Sequence, residues 1–411
     1  MKNLNLVTLV LLVGFCSSVW ATDDWPGWRG KDRRDISKET GLMDSWPEGG
    51  PKQVWLNNDA GLGYAGFAVV GDKLFTLGLF DDKEYGLCLD ANTGKELWRV
   101  EVGDKFKNNW GDGPRNTPTV DEDRVYFLAA GGELVCVKIA NQKKLWSISM
   151  GDLGGEVPFW GYAESPLVYG DQIVCTPGGD EGAVAALDKM TGKKIWQSKD
   201  VTNKAHYSSI IALEKDGNVT YVQLLNSCVV GIDSKSGKVL WNMEFPGKTA
   251  VIPTPVEVNG NIYVTSGYGS GSAFYEINGT KATESWMSRS LSNQHGGVVH
   301  LDGFIYGFSE MEGFVCQNTE NGKIRWNAEK KVAKGALTYA DGHLYYIEEK
   351  SGDVLLLKVN PEGWEEKGRF KLSPQTEKRS PQGRIWVHPV IANGKMYLRD
   401  QELIMCYDVK K

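Results

Sequence analysis

Histidine is scarce in this chain, five in 411 residues, and the seven cysteines include neither an adjacent pair nor a C-x-x-C. Those absences remove the usual spacing for a clustered zinc site and for a thioredoxin-type redox motif. There is no Gly-x-Ser-x-Gly elbow, no P-loop and no dinucleotide fingerprint, so a serine hydrolase or nucleotide enzyme lacks its sequence support. "GYGSGSAF" at 267–274 is glycine-rich but lies between strands and reads as a turn. Nothing reads as a long amphipathic helix. Positive charge is not in excess either: 46 Lys and Arg face 52 Asp and Glu, a net of −6, which argues against a nucleic-acid partner.

What is present is a repeated turn. "LDANTGKELW" at 89–98 returns as "LDKMTGKKIW" at 187–196, "IDSKSGKVLW" at 232–241 and "QNTENGKIRW" at 317–326. Asp and Thr cap turn amides, and Gly accepts the positive φ that a tight turn needs. Trp55, Trp98, Trp146, Trp196, Trp241, Trp286, Trp326 and Trp364 follow one another at intervals of 38 to 50 residues. That period fits four-stranded propeller blades. Between the tryptophans runs an alternating strand, a Gly-Asp, Asn-Gly or Asp-Gly turn, and a second strand, as in "PLVYGDQIVCT" from Pro166 and "PVEVNGNIYVT" from Pro255. Eight such units occur, starting near residues 68, 118, 166, 210, 255, 297, 336 and 389. The last unit stops where a Trp-bearing strand should follow, and "PKQVW" at 51–55 has no hairpin before it. The expected fold is therefore all-β: an eight-bladed propeller over 51–411, closed by pairing its two terminal strands, which leaves no free edge.

Residues 1–21 read as a signal peptide. Lys2 precedes an apolar core from Leu4 to Phe15, with cleavage expected after Ala21 and a mature net charge of −7 once Lys2 is lost. The core is too short for a membrane span, and Phe15 before Cys16 disfavours a lipid anchor there. Residues 22–50 form a non-repeat segment, and the mature chain is expected to be a secreted or periplasmic monomer. Of the six remaining cysteines, Cys88, Cys136, Cys316 and Cys406 hold the same place in four units. Equivalent places on different blades lie too far apart to bridge, so these read as buried thiols.

The Asp-x-x-(Thr/Ser)-Gly-Lys-x-x-Trp units resemble those of pyrroloquinoline-quinone-type propellers. In that family the tryptophan docks between neighbouring blades, which implies a structural role for Trp98, Trp196, Trp241 and Trp326. One branch, the quinoprotein dehydrogenases, binds PQQ and calcium at the axial mouth, many above an adjacent cysteine pair. Another is like the outer-membrane assembly factor BamB, an eight-bladed secreted scaffold of similar length without a cofactor. Length, blade count and the missing cysteine pair favour the second branch. No cofactor, metal or catalytic residue is expected; PQQ with calcium belongs to the alternative, a quinone-dependent alcohol or sugar dehydrogenase.

Any ligand or partner, protein or small molecule, should meet the loops that lead into the innermost strands, because these converge on the ring axis. They carry Arg115, Glu164, His206, His295, Lys334 and His388 on six different blades, with Trp110 and Trp160 as an aromatic wall. Convergent polar groups with an aromatic rim are what a binding pocket looks like. The expectation is a binding or scaffold module working through that mouth.

Overall fold

The computed structural model describes residues 24–411, so the expected signal peptide and Cys16 lie outside the described residues. Eight four-stranded antiparallel sheets follow one another as blades. Their innermost strands are Ala68–Val70, Thr119–Asp121, Leu167–Tyr169, Ile211–Lys215, Val256–Val258, Val298–Leu301, Gly335–Ala340 and Val390–Ala392. We number the blades in that order. Seven are built by consecutive strands. The eighth is completed from the far end of the chain: Gln53–Asn57 pairs antiparallel with Leu403–Asp408, placing Trp55 opposite Cys406. Ring closure thus joins both ends in one sheet, as the truncated last unit requires.

The core lies between blades. Its clusters combine strands of neighbouring sheets, for example Val174 and Trp196 of the third blade with Tyr221 and Val230 of the fourth. The repeated turn explains how adjacent blades register. Trp196 donates its indole N–H to the Ser234 carbonyl at 3.1 Å, inside the next blade's turn. A Cβ on Gly237 of that turn, where φ is +73°, would sit 2.5 Å from the Trp196 ring. Trp55, Trp146, Trp286 and Trp326 dock in the same way on Ala91, Lys189, Thr319 and Asn360 of the blade that follows. Trp98 meets a turn without glycine and packs on Phe75 at 6.0 Å. Trp241 is buried with its indole N–H unpartnered.

The seventh blade departs from the pattern. Trp364 precedes its outer strand, Glu366–Lys371, and Gly368 takes the tryptophan's place opposite Leu356. The space is filled by Trp46, whose amide donates to the Lys367 carbonyl at 3.0 Å and whose ring meets Phe370 at 5.4 Å. The eighth girdle tryptophan is therefore Trp46, supplied from outside the repeat, and not Trp364.

All six described cysteines are free and buried. Among the described residues, no helix is long and apolar enough to cross a membrane.

Candidate functional site

The two ends of the ring axis differ. On the side of the first hairpin turns, residues 25–37 coil across the channel and reach every blade. Trp25 pairs with Val69 of the first blade through two 2.7 Å bonds, and Val120 of the second donates to the Pro26 carbonyl at 2.7 Å. The Arg33 guanidinium donates to the carbonyls of Ser165, Pro166 and Ile210, at the third and fourth blades. Trp28 donates to Thr254 Oγ1 at 2.8 Å at the fifth, and Arg29 to the Val298 carbonyl at 2.6 Å in the sixth. Asp35 accepts the Tyr339 amide of the seventh through its carbonyl, and its carboxylate lies 3.3 Å from His388 Nδ1 of the eighth. Arg29, Arg33 and Asp35 all have φ between +54° and +60°, a left-handed coil that these residue types adopt at a cost. Two buried guanidiniums aimed at main-chain carbonyls offset that cost. Burial lowers the Arg33 guanidinium to about 9, which leaves it charged at neutral pH. The segment is a stopper for this end of the channel.

The opposite end is aromatic. Tyr64 and Trp386 lie 4.8 Å apart, Trp386 and Trp110 6.2 Å, Trp110 and Trp160 6.3 Å, and Trp160 and Tyr207 5.6 Å. These rings form an arc from the eighth blade round to the entry of the fourth. Outside it Phe159 is 72% exposed and Met311 66%, and Trp110 itself is 38% exposed. Facing the arc is a polar cluster. Glu349 accepts from the Trp386 indole at 2.9 Å, pairs with Lys334 Nζ at 3.1 Å and lies 3.5 Å from His295 Nε2. Lys334 also donates to Gln294 Oε1. Burial, then the charge of Lys334, hold the His295 imidazole well below its ordinary range, so it is neutral.

The six ionisable residues singled out above divide according to register. A belt of mostly small residues marks one level of the channel: Gly66, Thr117, Ser165, Ser209, Thr254, Gly297, Ala336 and His388. Ser165 Oγ accepts the Thr117 amide at 2.8 Å and Ser209 Oγ the Ser165 amide at 2.9 Å, stitching neighbouring blades at this level. Two residues before the belt stand Tyr64, Arg115, Tyr207, His295, Lys334 and Trp386 of six blades. The structure brings these to the aromatic mouth. Arg115 lies 5.6 Å from the Tyr64 ring centre and donates to the carbonyls of Gly111 and Gly113. Glu164 is one residue out of step and turns into the wall, accepting from the Thr176 amide and from Gln223. His388, in the belt itself, faces the stopper: its ring lies 4.6 Å from Trp28, and Nε2 is 2.8 Å from the His295 carbonyl. His206 stands at the far end of the aromatic arc, 5.7 Å from Tyr207, accepting from the Val251 amide. Burial lowers its pKa.

Glu349 escaped the sequence reading because it sits on the connection between the second and third strands of its blade. Those connections open on the same face as the loops that lead into the innermost strands. "EEK" at 348–350, polar residues at such a connection, was the available signal.

Burial raises Glu164 to about 7 from 4.5, against hydrogen bonds from Thr176 and the charge of Arg33. A raised carboxyl means that the folded protein holds the proton more tightly than the unfolded chain. The associated stability is fully present below pH 4.5 and is lost as pH climbs through 7, on the order of 3 kcal/mol. Glu164→Gln should therefore remove that share of the decline. Urea denaturation of both proteins at pH 5 and pH 8 measures it, and equal declines would contradict the assignment.

Calcium with a quinone does not fit this mouth. Among the described residues no group of three or more His, Cys, Asp or Glu could hold a metal. Glu349, the carboxylate at the floor, is already engaged by Trp386, Lys334 and His295.

The model of a family described as outer membrane protein assembly factor BamB matches residues 52–156 and 82–328. The BamB of Burkholderia pseudomallei is 25% identical over 208 residues, 48% of this chain and 48% of that one. A tetrathionate hydrolase of Acidithiobacillus ferrooxidans is 24% identical over 199 residues, 42% of this chain and 38% of that one. The chain spans about half the length or less of these two relatives. Among solved structures, BamB from Moraxella catarrhalis superposes with a TM-score of 0.62 at 15% identity, over 87% of this chain and 99% of that one. A quinohemoprotein alcohol dehydrogenase from Comamonas testosteroni gives 0.66 at 11% identity, over 94% and 81%. At such identities the two structures share the fold alone.

Proposed function

The chain belongs to the family described as outer membrane protein assembly factor BamB, and from that premise we propose that it is a secreted cell-envelope module that binds through its aromatic mouth. Export would follow cleavage after Ala21, leaving 22–50 as the segment that supplies both the stopper and Trp46. The observation that carries the reading is the difference between the two axial ends. One is spanned by the chain's own residues 25–37, tied to all eight blades. The other leaves Trp110, Phe159 and Met311 in water, where exposed aromatic anchors are characteristic of binding surfaces.

Affinity capture from an envelope extract tests this. Combining Trp110→Ala with Phe159→Ala should abolish retention of whatever the parent protein holds. Ile195→Ala, on an exposed outer strand, should leave retention intact. Equal capture by all three proteins would overturn the proposal. Phe159 and Ile195 are exposed side chains whose loss should shift stability by no more than about 0.5–1 kcal/mol, and a cooperative melt of the double variant shows that lost capture is not unfolding.

A further inference from the structure

The chemistry of the mouth narrows what it can hold, and the argument rests on the reading of that mouth as a binding site. At its floor the one close lysine–carboxylate pair is internal to the protein. Lys334 is matched by Glu349 at 3.1 Å, and His295 is neutral. The Arg115 guanidinium is spent on the Gly111 and Gly113 carbonyls. A strongly charged ligand would have to pull Lys334 from Glu349 or the Arg115 guanidinium from its carbonyls, and the groups left behind in the desolvated floor would go uncompensated. A purely apolar ligand would fare no better, because it would strip water from Lys334, Glu349 and Gln294 without replacing those hydrogen bonds. What remains on offer is the aromatic arc of Trp386, Trp110 and Trp160, with carboxylate and amide groups across from it.

Next to this arc, the loop carrying Trp110 forms one wall of a cleft of about 510 Å³. Its lining includes Asn108, Asn109, Ser380, Gln382 and Gln401, side chains that both donate and accept hydrogen bonds, with one charge of each sign in Asp112 and Lys378. The loop is held in place. Tyr64 Oη donates to the Trp110 carbonyl, and Ser380 Oγ to the Asn109 carbonyl. A ligand suited to both regions needs apolar C–H faces to lie on the rings and uncharged hydroxyls to pair with amides. We infer that the mouth binds a neutral saccharide chain, its sugar rings lying on Trp110 and Trp386 and its hydroxyls reaching Glu349, Lys334 and the amide-lined cleft.

The test titrates the mature protein, residues 22–411, with maltohexaose, cellohexaose, xylohexaose and chitohexaose, followed by tryptophan fluorescence and calorimetry. Hexagalacturonate and dodecyl maltoside micelles serve as the charged and the apolar probe. The expected result is saturable binding of at least one neutral hexasaccharide, weakened at least about tenfold by Trp110→Ala. Glu349→Gln, which keeps an acceptor for the Trp386 indole, should weaken it as well. The inference is overturned if no neutral hexasaccharide binds up to millimolar concentration, if Trp110→Ala binds as the parent does, or if hexagalacturonate or micelles bind more tightly. Envelope capture separates the two claims. Should the saccharides fail while Trp110→Ala with Phe159→Ala still abolishes capture, the ligand class is wrong and the binding mouth stands.

Discussion

Truncation after Gln401 should turn a monomeric, cooperatively melting protein into one that aggregates. The strand that would be lost, Leu403–Asp408, pairs on one side with Lys395–Asp400 and on the other with Gln53–Asn57. Its residues Ile404, Met405 and Cys406 are wholly buried. Without them Gln53–Asn57 loses its only sheet partner, and the edge of Lys395–Asp400 faces water beside an opened core. Unpaired apolar edges are templates for intermolecular pairing. Size-exclusion chromatography with light scattering checks the outcome. A truncated chain that stays monomeric and melts at the parent's temperature would disprove two-ended closure.

Replacing Arg33 by Met should cost about 1–3 kcal/mol, the range for leaving buried hydrogen-bonding groups without a partner. The guanidinium is fully inside the protein and supplies donors to the Ser165, Pro166 and Ile210 carbonyls. Methionine fills much of the volume but leaves those three acceptors facing an apolar group, and desolvated acceptors without donors are costly. Lys31→Ala, a neighbouring exposed position, should change stability by no more than about 0.5 kcal/mol. Chemical denaturation of the three proteins decides the matter. Equal stability of the Arg33 variant and the parent would mean that the stopper is not anchored by this residue.

The ring was legible in the sequence because each blade repeats the same physical solution. Asp caps the turn, Gly takes positive φ against the preceding blade's tryptophan, and the hairpins alternate with period two. Legibility stopped where the solution came from outside the repeat. Trp364 kept the spacing, but Gly368 holds the slot in the strand and Trp46 fills it from a segment with no internal pattern. The stopper was unreadable for the same reason, since Arg29 and Arg33 find their carbonyl partners more than 130 residues away in sequence.

The candidate site was legible as a set of loops but not as a set of directions. Side chains on extended backbone alternate, so a shift of one residue redirects the group. Arg115, His295 and Lys334 share a register and reach the mouth; Glu164, one step on, enters the wall, and His388, two steps on, meets Asp35 of the stopper. Nothing in the spacing of single loops displays that difference. It emerges only when all eight blades are aligned at the level of the belt.

The most direct test of a protein that binds at one axial end and is stoppered at the other uses two photo-crosslinking residues, one replacing Phe159 at the aromatic rim and one replacing Lys31 on the stopper. Both positions are exposed. Irradiation in intact envelopes should yield discrete adducts from position 159 and none from position 31. Adducts formed only from position 31 would contradict the account and place the binding surface at the other end of the ring.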